Sequence, residues 1–312
     1  MRIAVLGGGG AMGGLFGGSL ALVGEEVVLI DVSKAAIDAI TASGLKIEEK
    51  DGTVRIAHVK ASSTPAEVGP VDLILNFVKC YHTADAIRAA LPMFGPQTAV
   101  LSLQNGWGNA DTIGAVVGSA RVMVGLTYHS ATLVAPGHIR HPGLGPTYIG
   151  ELGGATTARL EDAGNALQRA GFEVRLSPAI LDEVWKKLAL NVCTLPTGAL
   201  LGFFANQLGQ HAGTRSLMQA LLGEVVAVAA VQGIKLDAGE RWSAITGVLE
   251  KAVGAKASML QDREARRRTE IDVINGAIVE AGRRHGVATP MNESMVWLVK
   301  SMEEAYLGEA KA

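Results

Sequence analysis

Three polar side chains, Lys186, Lys187 and Asn191, interrupt an otherwise apolar stretch, Val184-Trp185-Lys186-Lys187-Leu188-Ala189-Leu190-Asn191. Lys187 and Asn191 are four residues apart, which puts them one above the other on the same face of a helix. Val184, Leu188 and Val192 repeat at the same spacing one position on and form an apolar stripe beside them. A lysine next to a buried stripe is a candidate general acid, because burial disfavours the ammonium and draws its pKa toward neutrality. Lys186 reads as an ordinary solvated lysine. Further on, Ser258 lies in Lys256-Ala257-Ser258-Met259-Leu260-Gln261-Asp262, and Glu270 heads an apolar stripe of Val273, Ile274, Ala277 and Ile278 at helical spacing. A carboxylate in line with such a stripe caps its helix, pairs with a cation, or does chemistry. Arg266, Arg267 and Arg268 read mostly as a solvated face from which one could neutralise Asp262.

A second group of candidates opens the chain. Ile3 to Leu6 is an apolar run suited to a strand buried on both faces, and Gly8, Gly10 and Gly13 follow it in the pattern G-x-G-x-x-G. Placement gives that pattern weight, because a helical segment from Met12 to about Val23 and a second strand, Val27 to Ile30, come next. Gly8 makes the turn, Gly10 lets a pyrophosphate approach the backbone, and Gly13 lets the helix press on the sheet. The helix amino terminus at Ala11 and Met12 offers N–H groups to phosphates. Asp31 ends the second strand, where an acid accepts from the adenosine ribose hydroxyls and repels a 2′-phosphate, which favours NAD over NADP. Alternatively, Asp31 caps the helix beginning near Ser33. Lys34 is the nearby cation through which NADP remains possible.

Lys79 and Asn105 stand at the carboxyl ends of two further strands, Val71 to Val78 and Thr98 to Leu103. In an open parallel sheet such ends face the ligand crevice, so both project toward the glycine loop. Asn105 can equally be a turn-former before Gly106. Leu45 to Glu48 with Val54 to Ala57 reads as a hairpin around Asp51-Gly52, and Gly137 to His141 with Thr147 to Gly150 as another. Val122 to Thr127 is a strand followed by Tyr128-His129-Ser130-Ala131; His129 there is read as structural. A helix from Thr157 to Ala170 and a strand from Phe172 to Leu176 complete this half. From Ser177 onward the patterns are helical, through Leu181–Phe204, Ala212–Gln232, Ala238–Val253, Ala265–His285 and Asn292–Leu307, with Pro196 expected to kink or break the first. The predicted architecture is α/β: a Rossmann-type doubly wound sheet over 1–177, then an all-helical domain over 178–312.

Composition agrees with an ordinary globular chain. The 312 residues suffice for two domains, and charged residues are only 19% against 48% hydrophobic, which favours a large core. A net charge of −2 gives no electrostatic reason for nucleic acid or an anionic membrane as partner. Cys80 and Cys193 show no metal-type spacing and fit a reducing cytoplasm. The opening Met-Arg-Ile-Ala-Val-Leu reads as a strand rather than a signal peptide, and no apolar run is expected to reach the length of a membrane span. No metal-ligand cluster, G-x-S-x-G elbow or internal repeat is found.

Taken together, Gly8-x-Gly10-x-x-Gly13, Val78-Lys79, Asn105-Gly106-x-Gly108, Trp185-x-Lys187-Leu188-x-x-Asn191, Ser258-Met259-x-x-Asp262 and Thr269-Glu270-Ile271-Asp272-x-x-Asn275-Gly276 resemble the ketopantoate reductase family over nearly the whole chain. The resemblance implies hydride transfer from a nicotinamide to a 2-oxo acid, in a cleft between a Rossmann domain and a helical domain. It implies Lys187 as general acid, Asn105 holding nicotinamide ribose and substrate, and Asn191 and Ser258 holding the substrate. It implies Glu270 orienting Lys187 or the ribose, and Lys79 and Ala131 lining the nicotinamide end. Two positions depart from the pattern: Leu195 and Ala255 stand where the family has asparagines. Losing those hydrogen-bonding groups, together with Asp31, points to NAD and a more apolar 2-oxo acid, as in the related D-2-hydroxyacid dehydrogenases. The other readings are a true 2-dehydropantoate 2-reductase and a non-catalytic nicotinamide sensor. A homodimer through the apolar helices is expected.

Overall fold

The computed structural model describes residues 1–309. Contacts divide the chain into two compact units, 1–104 with 109–180, and 105–108 with the residues from 181 onward.

The first unit contains β1 Arg2–Leu6, α1 Ala11–Leu22, β2 Glu26–Ile30, α2 Lys34–Ser43, β3 Leu45–Glu49, β4 Val54–Ala57, β5 Lys60–Ser62 and β6 Val71–Asn76. It continues with α3 Thr83–Ala89, β7 Phe94–Ser102, α4 Asn109–Val117, β8 Val122–Thr127, β9 Ser130–Ala135, β10 His138–Gly143, β11 Thr147–Glu151, α5 Ala158–Arg169 and β12 Val174–Leu176. The main sheet has the order β12-β11-β8-β7-β6-β1-β2-β5. From β5 to β8 its pairings are parallel, and β11 runs antiparallel to β8. The order reverses on either side of β1, so the glycine loop after β1 occupies the topological switch point where doubly wound sheets bind ligands. The central strands are buried on both faces and read as continuous apolar runs for that reason.

A second, four-stranded sheet has the order β4-β3-β10-β9. It corrects the expected hairpin of residues 137–150. β10 pairs with β3 and β9 in the small sheet, whereas β11 pairs with β8 and β12 in the main one. Pro142 to Gly145 therefore carries the chain between sheets, and β9, absent from the sequence reading, is β10's antiparallel partner.

Helix α1 lies against both sheets and shows no polar face: Gly13 to Leu20 are all buried. A Cβ on Gly17 would come within 2.4 Å of Leu29 of the main sheet, and one on Gly18 within 2.8 Å of Leu45 of the small sheet. Glycine in a helix costs about 1 kcal/mol each relative to alanine. The close approach on two sides, with Leu15, Phe16 and Leu20 in the core, offsets that cost.

The second unit is helical: α6 Ile180–Leu201 (its first residue counted with the first unit), α7 Ala205–Leu208, α8 Ala212–Val231, α9 Ala238–Lys251, α10 Ser258–Glu264, α11 Asn275–His285 and α12 Pro290–Glu309. Pro196 lies inside α6 without ending it. A proline withholds the N–H that the carbonyl four residues back would accept. Here that carbonyl, on Val192, accepts instead from the side-chain amide of Asn275 at 3.3 Å. The same amide donates to Asn292 at 3.0 Å, and Asn292 donates to Glu224 at 2.7 Å, so a buried polar chain takes up the orphaned group.

The expected single helix over 265–285 is also corrected. Arg266 has φ 50°, Ile271–Val273 forms a 3₁₀ turn, and α11 starts only at Asn275. Ile271, Ile274 and Ile278 are nevertheless buried, so the apolar spacing belongs to a turn followed by a helix. One helix, Ala212–Val231, is long and apolar enough by length and composition to cross a membrane, contrary to the expectation that no run would be. Arg215 and Glu224 interrupt it, and Met218, Leu221, Leu222, Val225, Val228 and Ala229 are part of the unit's core.

Candidate active site

In the first unit the glycine loop forms a backbone cradle. A Cβ on Gly13 would fall 2.2 Å from the Gly7 carbonyl oxygen, and one on Gly8 2.7 Å from Leu29 Cβ. Gly10 is the N-cap of α1 with no side-chain cap, and the first turn carries no acid, so the amides of Ala11, Met12 and Gly13 lack intrahelical acceptors. Such a cradle can receive a phosphate group, and the residues present fit a dinucleotide pyrophosphate.

Asp31 follows β2 directly. Its Oδ2 accepts from the Gly9 N–H and its Oδ1 from the Ser33 N–H, both at 2.9 Å. The cap of α2 is Ser33, whose hydroxyl accepts from the Ala36 N–H at 3.3 Å, so Asp31 is not the helix cap. The carboxylate is instead fastened to the glycine loop, with lone pairs remaining on both oxygens. Lys34 is largely exposed and pairs with Asp38 at 2.6 Å. Lys79 is half-buried beyond the carboxyl end of β6, and Ala131 is the second residue of β9, packed against the unit's core.

Gln104 had no role in the sequence reading. Its Nε2 donates to the Val78 carbonyl and to Thr83 Oγ1, both at 2.7 Å, and its Oε1 accepts from Asn76 at 2.7 Å and Ser102 at 3.1 Å. It thereby ties the carboxyl ends of β6 and β7 together beside Lys79. Its position between a strand end and Asn105 is the sequence signal that marks it. His129 is buried, with Nδ1 at 2.9 Å from His141 Nε2, and His141 Nδ1 lies 2.8 Å from Glu49. Burial, and then the neighbouring His141, push His129 down to about 4, so it packs as a neutral ring edge-on to Phe16 and Phe172.

In the second unit, Lys187 Nζ donates to Asn105 Oδ1 at 2.7 Å. The two residues are far apart in sequence, and the segment Asn105–Gly108 belongs to this unit. Asn105 is thus more than a turn-former. Burial draws the Lys187 ammonium down to about 8, opposed by the Glu270 carboxylate, which favours the charged form. Glu270 is itself buried, immediately before the 3₁₀ turn. Asn191 is buried one helical turn beyond Lys187 and makes no side-chain hydrogen bond among the described residues. Ser258 is the exposed first residue of α10. Arg267 pairs with Asp262 at 3.1 Å. An amine poised near neutrality, with an amide oxygen orienting it and an unpartnered asparagine beside it, is suited to protonating a developing oxyanion.

Residues 3–154 match the family described as Ketopantoate reductase PanE/ApbA, and residues 179–303 match its C-terminal region. The 2-dehydropantoate 2-reductase of Halobacterium salinarum is 32% identical over 96% of this chain and 98% of its own length, and that of Pyrococcus horikoshii 34% identical over 97% and 98%. Among solved structures, D-mandelate dehydrogenase with NADH and anilino(oxo)acetate superposes with a TM-score of 0.92 at 30% identity, covering 98% of this chain and 99% of that one. A ketopantoate reductase of Ralstonia eutropha gives 0.90 at 32% identity, covering 98% and 100%. The glycine cradle, the amine and its two asparagines thus sit in a chain that belongs to the ketopantoate reductase family and is a nicotinamide-dependent oxidoreductase of the 2-oxo acid/2-hydroxy acid type.

Proposed function

We propose that this enzyme reduces an apolar 2-oxo acid to the 2-hydroxy acid with NADH, and that Lys187 is its general acid. The observation that carries the reading is the Lys187 ammonium, desolvated to about 8 and hydrogen-bonded to Asn105. When bound, a reduced nicotinamide supplies the hydride to the ketone carbon. Gly8, Gly10 and Gly13, with the amides of Ala11 and Met12, hold its pyrophosphate. Lys79 and Ala131 line the nicotinamide end. Lys187 donates one N–H to Asn105 and, in the reaction, another to the substrate carbonyl oxygen. As charge grows on that oxygen, the Nζ proton passes to it, and the neutral amine is reprotonated from solvent. Asn191 and Ser258 hold the substrate's polar groups, and Glu270 keeps the amine charged until transfer. A non-catalytic sensor would have no use for a lysine held at a burial cost.

Asp31 supports NADH, because a carboxylate fastened to the glycine loop repels a 2′-phosphate and the neighbouring Lys34 is engaged by Asp38. Leu195 supports an apolar substrate. It lies two helical turns beyond Lys187 on α6 and is 8% exposed, where an asparagine would read a hydroxyl. Ala255 likewise presents no polar side chain. The structural likeness to a mandelate dehydrogenase points the same way. A homodimer through the second unit's helices extends the reading, Trp297 and Leu298 of α12 being 60% and 54% exposed. Steady-state rates with NADH and NADPH, each against ketopantoate and against aryl and branched-chain 2-oxo acids, test the proposal. The highest kcat/KM is expected for NADH with an apolar acid; a clear preference for NADPH with ketopantoate would make the enzyme a 2-dehydropantoate 2-reductase instead.

A further inference from the structure

The proposed reaction gives no role to Trp107, two residues beyond Asn105, yet this residue, through its backbone and its ring, joins the segments that carry the candidate groups. Gly106 has φ +88°, and a Cβ there would fall 2.4 Å from the Val273 carbonyl oxygen. The loop therefore runs flush against the 3₁₀ turn that follows Glu270. The Trp107 N–H donates to that same Val273 carbonyl at 2.8 Å. Its indole meets the Trp185 ring with centroids 5.4 Å apart and planes at 63°, an edge-on arrangement that aromatic pairs favour. Trp185 is fully buried on α6, two residues before Lys187. Its Nε1 has no hydrogen-bond partner among the described residues, so packing alone fixes the ring.

Asn105 is thus carried on a short segment anchored at two points. One is a backbone hydrogen bond to the turn beside Glu270, and the other is an aromatic contact to the helix of Lys187. On either side of Trp107 stand Gly106 and Gly108, both at positive φ, which without that anchored residue would have wide backbone freedom. We infer that Trp107 is a positioning residue: with its ring on Trp185 and its backbone on the Val273 turn, it holds the Asn105 amide on the Lys187 ammonium. This rests on the reading of Lys187 as the acid. In this role Trp107 acts through Asn105.

The chemistry follows from the geometry. An acid displaced by about 1 Å loses on the order of a hundredfold in rate. If the indole is removed, the Asn105 segment loosens and water enters beside Nζ. The ammonium is then better solvated, which relieves the burial that lowers its pKa, with Glu270 still facing it from the turn.

The test compares Trp107→Ala and Trp107→Phe with the parent protein, measuring kcat and KM for the 2-oxo acid, the pH dependence of kcat, NADH affinity and thermal stability. For Trp107→Ala, kcat should fall by about ten- to a hundredfold while NADH affinity stays within about twofold. The alkaline limb of the profile should move to higher pH, and Trp107→Phe, which keeps an aromatic wedge, should recover most of the rate. A Trp107→Ala protein with parental kcat and an unmoved limb overturns the inference. So does a loss shared by kcat, NADH affinity and stability that phenylalanine does not restore, because Trp107 would then only pack. Failure of the underlying reading shows separately, as a Lys187→Met enzyme that keeps its rate, and it removes the role of Trp107 as well.

Discussion

Replacing Lys187 by methionine should make the enzyme slower and, at neutral pH, more stable. Burial that brings the amine from 10.5 to about 8 disfavours its charged form by about 3 kcal/mol. The folded value lies below the unfolded one, so between about pH 8 and 10.5 the unfolded chain is the one that binds the proton. The cost to stability is therefore complete below pH 8 and fades as pH rises toward 10.5. Methionine removes that cost and forfeits the hydrogen bond to Asn105, worth about 1 kcal/mol. The net gain is about 2 kcal/mol at pH 7, vanishing near pH 10. Urea denaturation of parent and variant at the two pH values measures it. The rate should fall by about 10²–10⁴-fold as the general acid is lost. In the parent enzyme the reductive kcat/KM should drop about tenfold per pH unit above pH 8, a limb that the variant lacks. A variant less stable than the parent at pH 7, or a parent whose rate holds flat to pH 10, would refute the claim that a desolvated amine at this position is the acid.

Two other substitutions probe specificity. Asp31→Ser removes the carboxylate beside the glycine loop and should raise the NADPH-to-NADH ratio of kcat/KM by about tenfold or more, read from initial rates with each cofactor. Leu195→Asn restores a hydrogen-bonding group two turns beyond Lys187. It should shift kcat/KM toward ketopantoate relative to an apolar acid by at least about tenfold, at some cost in melting temperature because Leu195 belongs to the core; an unchanged ratio would take Leu195 out of substrate selection.

Local features of the chain carried much of this architecture. The strand, glycine loop and helix from Ile3 to Val23 are legible because a buried parallel strand must be apolar throughout and a pyrophosphate seat must be free of side chains. Lys187 and Asn191 are legible because helical periodicity aligns them. What escaped depends on partners remote in sequence. Residues 137–150 have hairpin spacing, yet β10 finds β3 and β9 while β11 finds β8 and β12, a choice made by the packing of two sheets. Pro196 is a helix breaker by local rules, yet α6 continues past it, with Asn275 donating to the carbonyl the proline leaves without a partner. The stripe from Glu270 to Ile278 is as apolar as a helix requires, but a 3₁₀ turn buries the same positions. Gln104 precedes and Trp107 fills the variable position of the motif Asn105-Gly106-x-Gly108, and their roles emerge only from what they touch.

The wedging of α1 between the two sheets has a consequence for how the protein can drift. The glycine loop leads into a helix whose Gly13 to Leu20 are all buried, and that helix is registered against Leu45 and Ile47 as firmly as against Leu29. The small sheet is therefore a backstop, and bulk gained in its inner face would be transmitted along the helix axis to the glycine loop. The turn at Asp51-Gly52 projects away from that stack, with nothing within 4 Å of where a Gly52 Cβ would sit, and it can lengthen or change without the helix feeling it.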